Sequence, residues 1–123
     1  YSATASITNP FDFIKKLRKA ATKKGSSFID VLAPCEPGWL VEPWETLKAG
    51  NLLVETGMWP LYEIENKKFT LNYKPKMLPV VKALQMQGRF KHLTEQQVTE
   101  IQEKVIKEWE MITKGRFWEA EEY

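Results

Sequence analysis

The feature that most constrains this chain is the run at residues 27–39, which reads Ser-Phe-Ile-Asp-Val-Leu-Ala-Pro-Cys-Glu-Pro-Gly-Trp. Its β-branched and apolar residues predict a strand over residues 28–33. Pro34 has no N–H group to donate to a neighbouring strand, so the strand should end there. Cys35 is therefore expected just beyond the carboxyl end of a strand, the edge at which open α/β sheets bind their ligands.

Cys35 is the only cysteine, and two interpretations of it are open. A free thiol commonly packs as a small buried hydrophobic group, which would make Cys35 structural. Its place at a strand end favours a functional group instead. A single cysteine excludes an internal disulfide and an all-cysteine metal site built by this chain alone, and it is consistent with a reducing compartment.

Composition describes an ordinary globular chain of 123 residues, enough for one domain or part of one. Hydrophobic residues make up 43% of it, which is enough for a packed core. The net charge of +2 gives no argument for nucleic acid or an anionic membrane as a partner. No apolar run approaches the roughly 20 residues that span a bilayer, and no signal peptide is evident. We expect a cytoplasmic chain that is split, processed or part of something longer.

The first third of the chain predicts a βαβ unit. Residues 1–7 form a short extended segment, and Asn9 and Pro10 are typical of the cap and first position of a helix. That helix should end at Gly25, so it connects two neighbouring parallel strands by a right-handed crossover. Helical spacing predicts an apolar inner face and a basic, solvated outer face. The inner residues are Phe13, Leu17, Ala20 and Ala21, and the outer ones are Lys15, Lys16, Arg18, Lys19, Lys23 and Lys24.

The residues after Cys35 predict loops, helices and one hairpin. Pro43 should open a helix that ends at Gly57, and Gly50 within it suggests a close approach by another element. Alternating residues over 58–73 predict a hairpin, which is marginal alone and should lie on another sheet edge or another subunit.

The carboxyl-terminal third is predicted to be mainly helical. A short helix over residues 80–87 leads into a basic, aromatic loop over 88–93. Thr94 and Gln97 form a capping box that starts the last helix. Its apolar stripe is Val98, Ile101, Val105, Trp109 and Ile112, and Gly115 ends it. The aromatic, acidic tail over residues 117–123 should dock on a partner or fray in solvent.

Parts of a complete active site are missing from the sequence. No glycine-rich phosphate loop follows a strand, and no residues are arranged as a Ser-His-Asp or Cys-His pair. His92 is the sole histidine and has no carboxylate beside it, so we interpret it as a surface or packing residue. The residues alone thus indicate a fragment of an α/β domain with many aromatic side chains that are expected to pack against other proteins.

Six separate blocks, in this order, closely resemble the carboxyl-terminal part of the β subunit of pyruvate:ferredoxin oxidoreductase (pyruvate synthase), of the 2-oxoacid:ferredoxin oxidoreductase family. Together the blocks extend from the first residue to about the start of the last helix. They are residues 1–6 (YSATAS), 9–12 (NPFD), 31–39 (VLAPCEPGW), 55–63 (ETGMWPLYE), 71–75 (LNYKP) and 87–93 (QGRFKHL).

The resemblance implies a thiamine-diphosphate-binding α/β fold and an iron–sulfur enzyme of anaerobic metabolism. Such enzymes decarboxylate a 2-oxoacid, pass electrons through clusters to ferredoxin, and form an acyl-coenzyme A. The family's cluster beside the thiamine has one late cysteine ligand that follows Ala-Pro or Ser-Pro, and Cys35 matches that position. The resemblance therefore implies that Cys35 is a thiolate ligand of a four-iron four-sulfur (4Fe-4S) cluster.

The family's other functional residues are absent from this chain. The Gly-Asp-Gly motif that binds diphosphate and Mg²⁺ is missing, as are the other cluster cysteines. The implied partners are an amino-terminal β segment and α, γ and δ-type subunits or their fused equivalents, together with ferredoxin, coenzyme A and the 2-oxoacid. Residues 58–63 look most like the pyruvate enzymes, while 2-oxoisovalerate and oxalate relatives remain alternatives. A purely structural subunit is a further alternative.

The resemblance also suggests how the chain is divided. Residues 1–38 would be the end of the thiamine-diphosphate-binding α/β domain, and residues 39–123 an extended arm of loops, hairpin and helices across neighbouring subunits. Trp39 and Trp44 follow Cys35 and are candidates to shield the cluster from water. Deleting residues 114–123 should weaken assembly more than the local fold.

Overall fold

A computed structural model describes residues 1–115, so the predicted tail over residues 117–123 lies outside the described part. Its elements are β1 (Ser2–Ser6), α1 (Pro10–Ala21), β2 (Phe28–Leu32), α2 (Glu36–Trp39), a 3-10 turn (Pro43–Glu45), α3 (Thr46–Glu55), β3 (Tyr62–Glu65), β4 (Lys68–Leu71), α4 (Val81–Gln85), a second 3-10 turn (Gly88–Phe90) and α5 (Glu95–Thr113). This is a mixed α/β arrangement, as predicted. None of the helices between residues 1 and 115 has the length and apolar character needed to cross a membrane.

The predicted parallel pair is confirmed, because β1 and β2 pair in register from Ser2 with Phe28 to Ser6 with Leu32. Helix α1 connects them. The sheet continues in the order β2-β1-β3-β4, with β3 antiparallel to both of its neighbours. Thr4 extends the β1–β3 contact, since its hydroxyl donates to the Pro60 carbonyl (2.6 Å) and accepts from the Tyr62 N–H (3.0 Å).

The hairpin β3–β4 therefore lies on a sheet edge, as its marginal stability in isolation requires. Its two-residue turn has positive φ at both Asn66 (51°) and Lys67 (64°), the geometry that matches the twist of the flanking strands. The sheet joins residues on both sides of the expected boundary at residue 38. That residues 39–123 pack on neighbouring subunits stays a prediction.

The buried and exposed faces of helix α1 differ from those predicted. Lys16 was expected in solvent, but it is only 1% exposed, and its ammonium donates to the Thr4 carbonyl (2.8 Å) and to Asp12 (2.6 Å). Burial lowers the pKa of Lys16, although Asp12 opposes that shift. Leu17 was expected inside and is 47% exposed. The prediction was wrong because a buried lysine can satisfy its charge on a neighbouring carbonyl and an i−4 carboxylate, which spacing alone does not reveal.

The start of α1 also differs in one detail from the expected pattern. Pro10 occupies the first turn as predicted, but the side chain of Asn9 makes no capping hydrogen bond. It instead accepts from the Thr8 hydroxyl (3.2 Å). The fixed φ of proline and the acidic Asp12 in the first turn are thus the features that favour the helix start.

Two apolar clusters form the core. The first lies beneath the segment that follows β2 and contains Leu32, Trp39, Val41, Ala49, Leu53, Val54, Leu61 and Ala83. The second joins α4 to α5 and contains Val80, Leu84, Val105, Trp109 and Ile112. The predicted capping box of Thr94 and Gln97 is present, and the predicted stripe of α5 faces this second cluster.

A glycine fixes the docking of α5. The indole N–H of Trp109 donates to the Gly57 carbonyl (2.7 Å). Gly57 has φ of +80°, and an added Cβ there would lie 2.3 Å from the Trp109 indole nitrogen. Only glycine satisfies both the backbone conformation and the close approach.

Candidate functional site

Cys35 lies where the sequence predicted, three residues beyond the end of β2. Strand β2 ends at Leu32, and Pro34 separates it from Cys35, whose backbone is extended (φ −113°, ψ 107°). The Cys35 carbonyl accepts a hydrogen bond from the Trp39 N–H (2.8 Å), which closes the turn of α2. The thiol is exposed. Within residues 1–115, Cys35 is therefore not buried in the core, and its role as a ligand or as a structural thiol stays a prediction.

Glycine at position 38 leaves space beside the sulfur. An added Cβ on Gly38 would lie 3.2 Å from the Cys35 Sγ and 3.6 Å from its Cβ. Any other residue would bring a side chain against the thiol from within its own turn. The turn therefore holds Cys35 at the surface with one side of the sulfur open.

A second glycine holds the segment that leads to Cys35 against helix α3. An added Cβ on Gly50 would lie 2.7 Å from the Pro34 ring and 2.9 Å from the Thr8 methyl group. The close approach predicted at Gly50 is thus confirmed, and the element that approaches is the Cys35 segment itself. The Pro34 ring thus packs directly on α3, which restricts the backbone just before Cys35.

The two tryptophans named as shields have different environments. Trp39 is 8% exposed and belongs to the first core cluster. Trp44 is 79% exposed on the 3-10 turn before α3. Trp39 therefore acts as packing beneath the Cys35 turn, whereas Trp44 is available to a partner. Shielding of a cluster by either ring stays a prediction.

The block at residues 87–93 folds back onto the Cys35 turn. The Gly88 N–H donates to the Leu40 carbonyl (3.2 Å), and an added Cβ on Gly88 would lie 2.7 Å from the Leu40 Cβ. Leu40 is the residue directly after α2 and has positive φ (54°). Two segments that are far apart in sequence thus meet at the end of α2.

Arg89 is the residue at this meeting point that sequence reasoning missed. Its guanidinium carbon lies 4.8 Å from the Trp39 ring centre and 4.7 Å from that of Phe90. Its Nε and Nη2 both donate to the Gln87 side-chain oxygen, at 2.9 and 2.7 Å. Arg89 is exposed as a residue, but partial desolvation of its guanidinium lowers its pKa. The only sequence signal was its membership of a resembling block, since a basic, aromatic loop is otherwise common.

Further metal ligands are not gathered around Cys35. Among residues 1–115, no three side chains of His, Cys, Asp or Glu are grouped so that they could hold a metal ion. His92 is exposed, which agrees with its interpretation as a surface residue. The described chain can therefore supply one thiolate to a metal centre but not a complete site.

A separate cluster of charges ties α1 to β3. Lys19 lies near the carboxylates of Glu63 (3.1 Å) and Glu65 (2.7 Å), and Lys23 also pairs with Glu65. The Tyr1 hydroxyl donates to Glu63 (2.7 Å). Burial alone would raise the pKa of Glu63, but these partners hold it lowered, while burial and Glu63 raise the pKa of Tyr1. Because each charge in this cluster has an opposite charge beside it, we interpret the cluster as a structural contact that holds helix α1 against the sheet.

Comparison with known proteins places the chain among oxidoreductase subunits, although no family model matches it. It is 50% identical over 103 residues to pyruvate synthase subunit PorB of Methanocaldococcus jannaschii, which covers 83% of this chain and 35% of that protein. It is 41% identical over 117 residues to ketoisovalerate oxidoreductase subunit VorB of Pyrococcus furiosus, covering 93% of the chain and 38% of the relative.

A bacterial relative gives the same result. The PorB subunit of Thermotoga maritima is 40% identical over 118 residues, which cover 91% of this chain and 36% of the relative. The chain thus spans little more than a third of the length of the relatives it matches. It belongs to the family of the PorB subunits of pyruvate synthase and the VorB subunits of ketoisovalerate oxidoreductase.

Proposed function

We propose that this chain is the carboxyl-terminal part of the β subunit of a 2-oxoacid:ferredoxin oxidoreductase and supplies one cysteine ligand of a 4Fe-4S cluster. The observation that carries the proposal is the exposed, sole cysteine at the carboxyl end of β2, in a chain 50% identical to a pyruvate synthase subunit. Exposure leaves the thiol free to meet ligands from another segment. Thiolates are the ligands that such clusters require.

The surroundings of Cys35 fit such a group. Gly38 leaves one side of the sulfur open, and the packing of Pro34 against Gly50 limits backbone movement at Cys35. When bound, a cluster of this kind accepts and donates single electrons at a potential set by burial and by nearby charges and N–H groups. The remaining ligands, the thiamine diphosphate and the Mg²⁺ would be held mainly by segments outside this chain.

For the reaction, we propose the conversion of pyruvate, coenzyme A and oxidised ferredoxin to acetyl-coenzyme A, CO₂ and reduced ferredoxin. The 50% identity to a PorB subunit supports pyruvate as the substrate. The 41% identity to a VorB subunit, over a longer stretch, supports 2-oxoisovalerate as a second candidate. Comparing kcat/KM for the two oxoacids in the purified complex decides between them.

The ligand role is tested by Cys35→Ser in the assembled complex, purified without oxygen. We expect loss of one cluster, seen as lower iron content and as a missing component of the EPR spectrum. Ala33→Ser is the matched control, because it adds a hydroxyl to an exposed residue of the same segment without touching the thiol. Native mass spectrometry reports whether both variants assemble.

The opposite outcome would identify Cys35 as structural. If the Cys35→Ser complex assembles with the iron content and EPR spectrum of the unchanged protein, Cys35 does not bind the cluster. The chain would then act as a non-catalytic interaction module, as the alternative interpretation holds.

A further inference from the structure

Arg89 has a positive charge that no carboxylate of the described residues neutralises. None of the ion pairs found within residues 1–115 includes it. Its two recorded hydrogen bonds both go to Gln87, whose side-chain amide is neutral. Within residues 1–115 the charge of the guanidinium is therefore not balanced by a carboxylate, whereas Lys19 and Lys23 each lie against a glutamate.

The charge is also held in one place. Gln87 is fully buried, and its amide nitrogen donates to the Ala83 carbonyl (3.0 Å), so the oxygen that accepts from Arg89 cannot turn away. The rings of Trp39 and Phe90 lie within 5 Å of the guanidinium carbon. A planar guanidinium that stacks on aromatic rings and donates two hydrogen bonds to a fixed acceptor loses much of its rotational freedom.

This fixed charge packs against the turn that carries the thiol. The ring under the guanidinium is that of Trp39, and the Trp39 N–H donates to the Cys35 carbonyl (2.8 Å). The guanidinium of Arg89 thus packs on the turn whose first residue is the proposed cluster ligand, Cys35.

We propose that Arg89 is a positioning residue that raises the reduction potential of the cluster bound through Cys35. The inference rests on the proposed function. Reduction adds one electron and hence one negative charge to the cluster, and a fixed positive charge nearby stabilises that reduced state. Arg89 itself is neither oxidised nor reduced, and it donates no proton in the step.

The test is an EPR-monitored redox titration of the assembled complex carrying Arg89→Met or Arg89→Lys. Methionine removes the charge and keeps an unbranched side chain, whereas lysine keeps the charge. With methionine we expect the midpoint potential of one cluster to become more negative. The ratio of reduced to oxidised cluster at a fixed potential should fall about tenfold, which is about 59 mV for one electron. With lysine the midpoint should stay near that of the unchanged complex.

The matched control is Arg18→Met. Arg18 is an exposed arginine in the second half of α1, near the amino ends of the strands, whereas Cys35 follows the carboxyl end of β2. Its removal should leave the midpoint unchanged. If the methionine variant fails to assemble, Arg89→Gln serves as the second neutral variant, because its amide can still donate to Gln87.

The outcomes separate this inference from the proposed function. An unchanged midpoint in assembled neutral variants overturns the role of Arg89, even when Cys35→Ser removes the cluster. Equal shifts with lysine and with the neutral residues would assign Arg89 to packing only. A cluster that survives Cys35→Ser overturns the proposed function instead.

Discussion

Gly50 is the residue at which helix α3 meets the segment carrying Cys35, and Gly50→Ala tests that contact. In an open helix position this change would stabilise by about 1 kcal/mol. Here the added methyl group would lie 2.7 Å from the Pro34 ring. We expect a net loss of about 1–3 kcal/mol in the free energy of unfolding, because the ring and helix must separate.

Urea unfolding measures that loss, and Asn51→Ala is the control. Asn51 is the exposed neighbour of Gly50 on the same helix, so alanine there should be neutral or slightly stabilising. A Gly50→Ala variant that is more stable than the parent would contradict the close packing of α3 on Pro34.

Glu55 is a buried carboxylate whose partners predict a pH dependence. It accepts from the Tyr73 hydroxyl (2.5 Å) and the Lys76 N–H (3.1 Å). Burial alone would raise the pKa of Glu55, but these hydrogen bonds hold it below its usual value. A lowered pKa in the folded state means that the ionised carboxylate stabilises the fold above about pH 4.3, the usual value of Glu, and that this contribution is lost as the pH falls further.

We therefore expect Tyr73→Phe to lower the free energy of unfolding by about 1.5–3 kcal/mol at pH 7, as for other hydrogen bonds to charged groups. The difference from the parent should shrink below about pH 4, because a protonated Glu55 no longer needs the donor. Unfolding curves at several pH values measure it. Glu110→Gln, which removes an exposed carboxylate, should show little effect. A Tyr73 effect that is constant from pH 7 to 3 would contradict this account.

At the scale of elements, α5 depends on its capping box. Thr94 accepts from the Gln97 N–H (3.3 Å), and the Gln97 side chain accepts from the Thr94 N–H (2.9 Å). We expect Thr94→Ala to destabilise the chain by about 1 kcal/mol, since the Gln97 N–H loses its side-chain acceptor. Thermal unfolding compares it with Thr99→Ala, which lies inside the same helix and should not destabilise. Equal effects of the two variants would show that the cap is unimportant.

Elements with strong local chemistry could be predicted from the sequence, and tertiary choices could not. The capping box at Thr94, the end of β2 before Pro34 and the hairpin at Asn66 each follow from backbone constraints within a few residues. The buried face of α1 was predicted wrongly because Lys16 finds a carbonyl on β1, a contact between elements.

The candidate site divides in the same way. The position of Cys35 after a strand is a local property, and it was predicted. The place of Arg89 depends on the packing of residues 87–90 against the turn that ends at Leu40, about fifty residues earlier in the chain. No spacing rule connects two such segments, so only the fold could bring them together.

At the scale of the whole molecule, the edge of the sheet formed by β2 has no neighbouring strand within residues 1–115. Within residues 1–115, β2 pairs only with β1, although parallel strands are normally covered and flanked. Large apolar side chains are also exposed on β2 and α1: Phe28 is 66% exposed, Phe11 88% and Leu17 47%. The chain spans little more than a third of the length of these relatives, so we expect a segment that corresponds to the rest of the relatives to cover these side chains.

The exposed side chains of Phe11 and Leu17 on α1 allow this expectation to be tested. We expect Phe11→Ser combined with Leu17→Ser to weaken binding of the amino-terminal β segment at least tenfold, because two large apolar side chains would no longer be buried on association. The chain's own fold should change little, since both residues are already exposed. Native mass spectrometry over a range of protein concentrations measures the binding. Ile106→Ser is the control, because Ile106 is similarly exposed (45%) but lies on α5. Equal binding by the double variant and the parent would place the amino-terminal segment elsewhere on the chain.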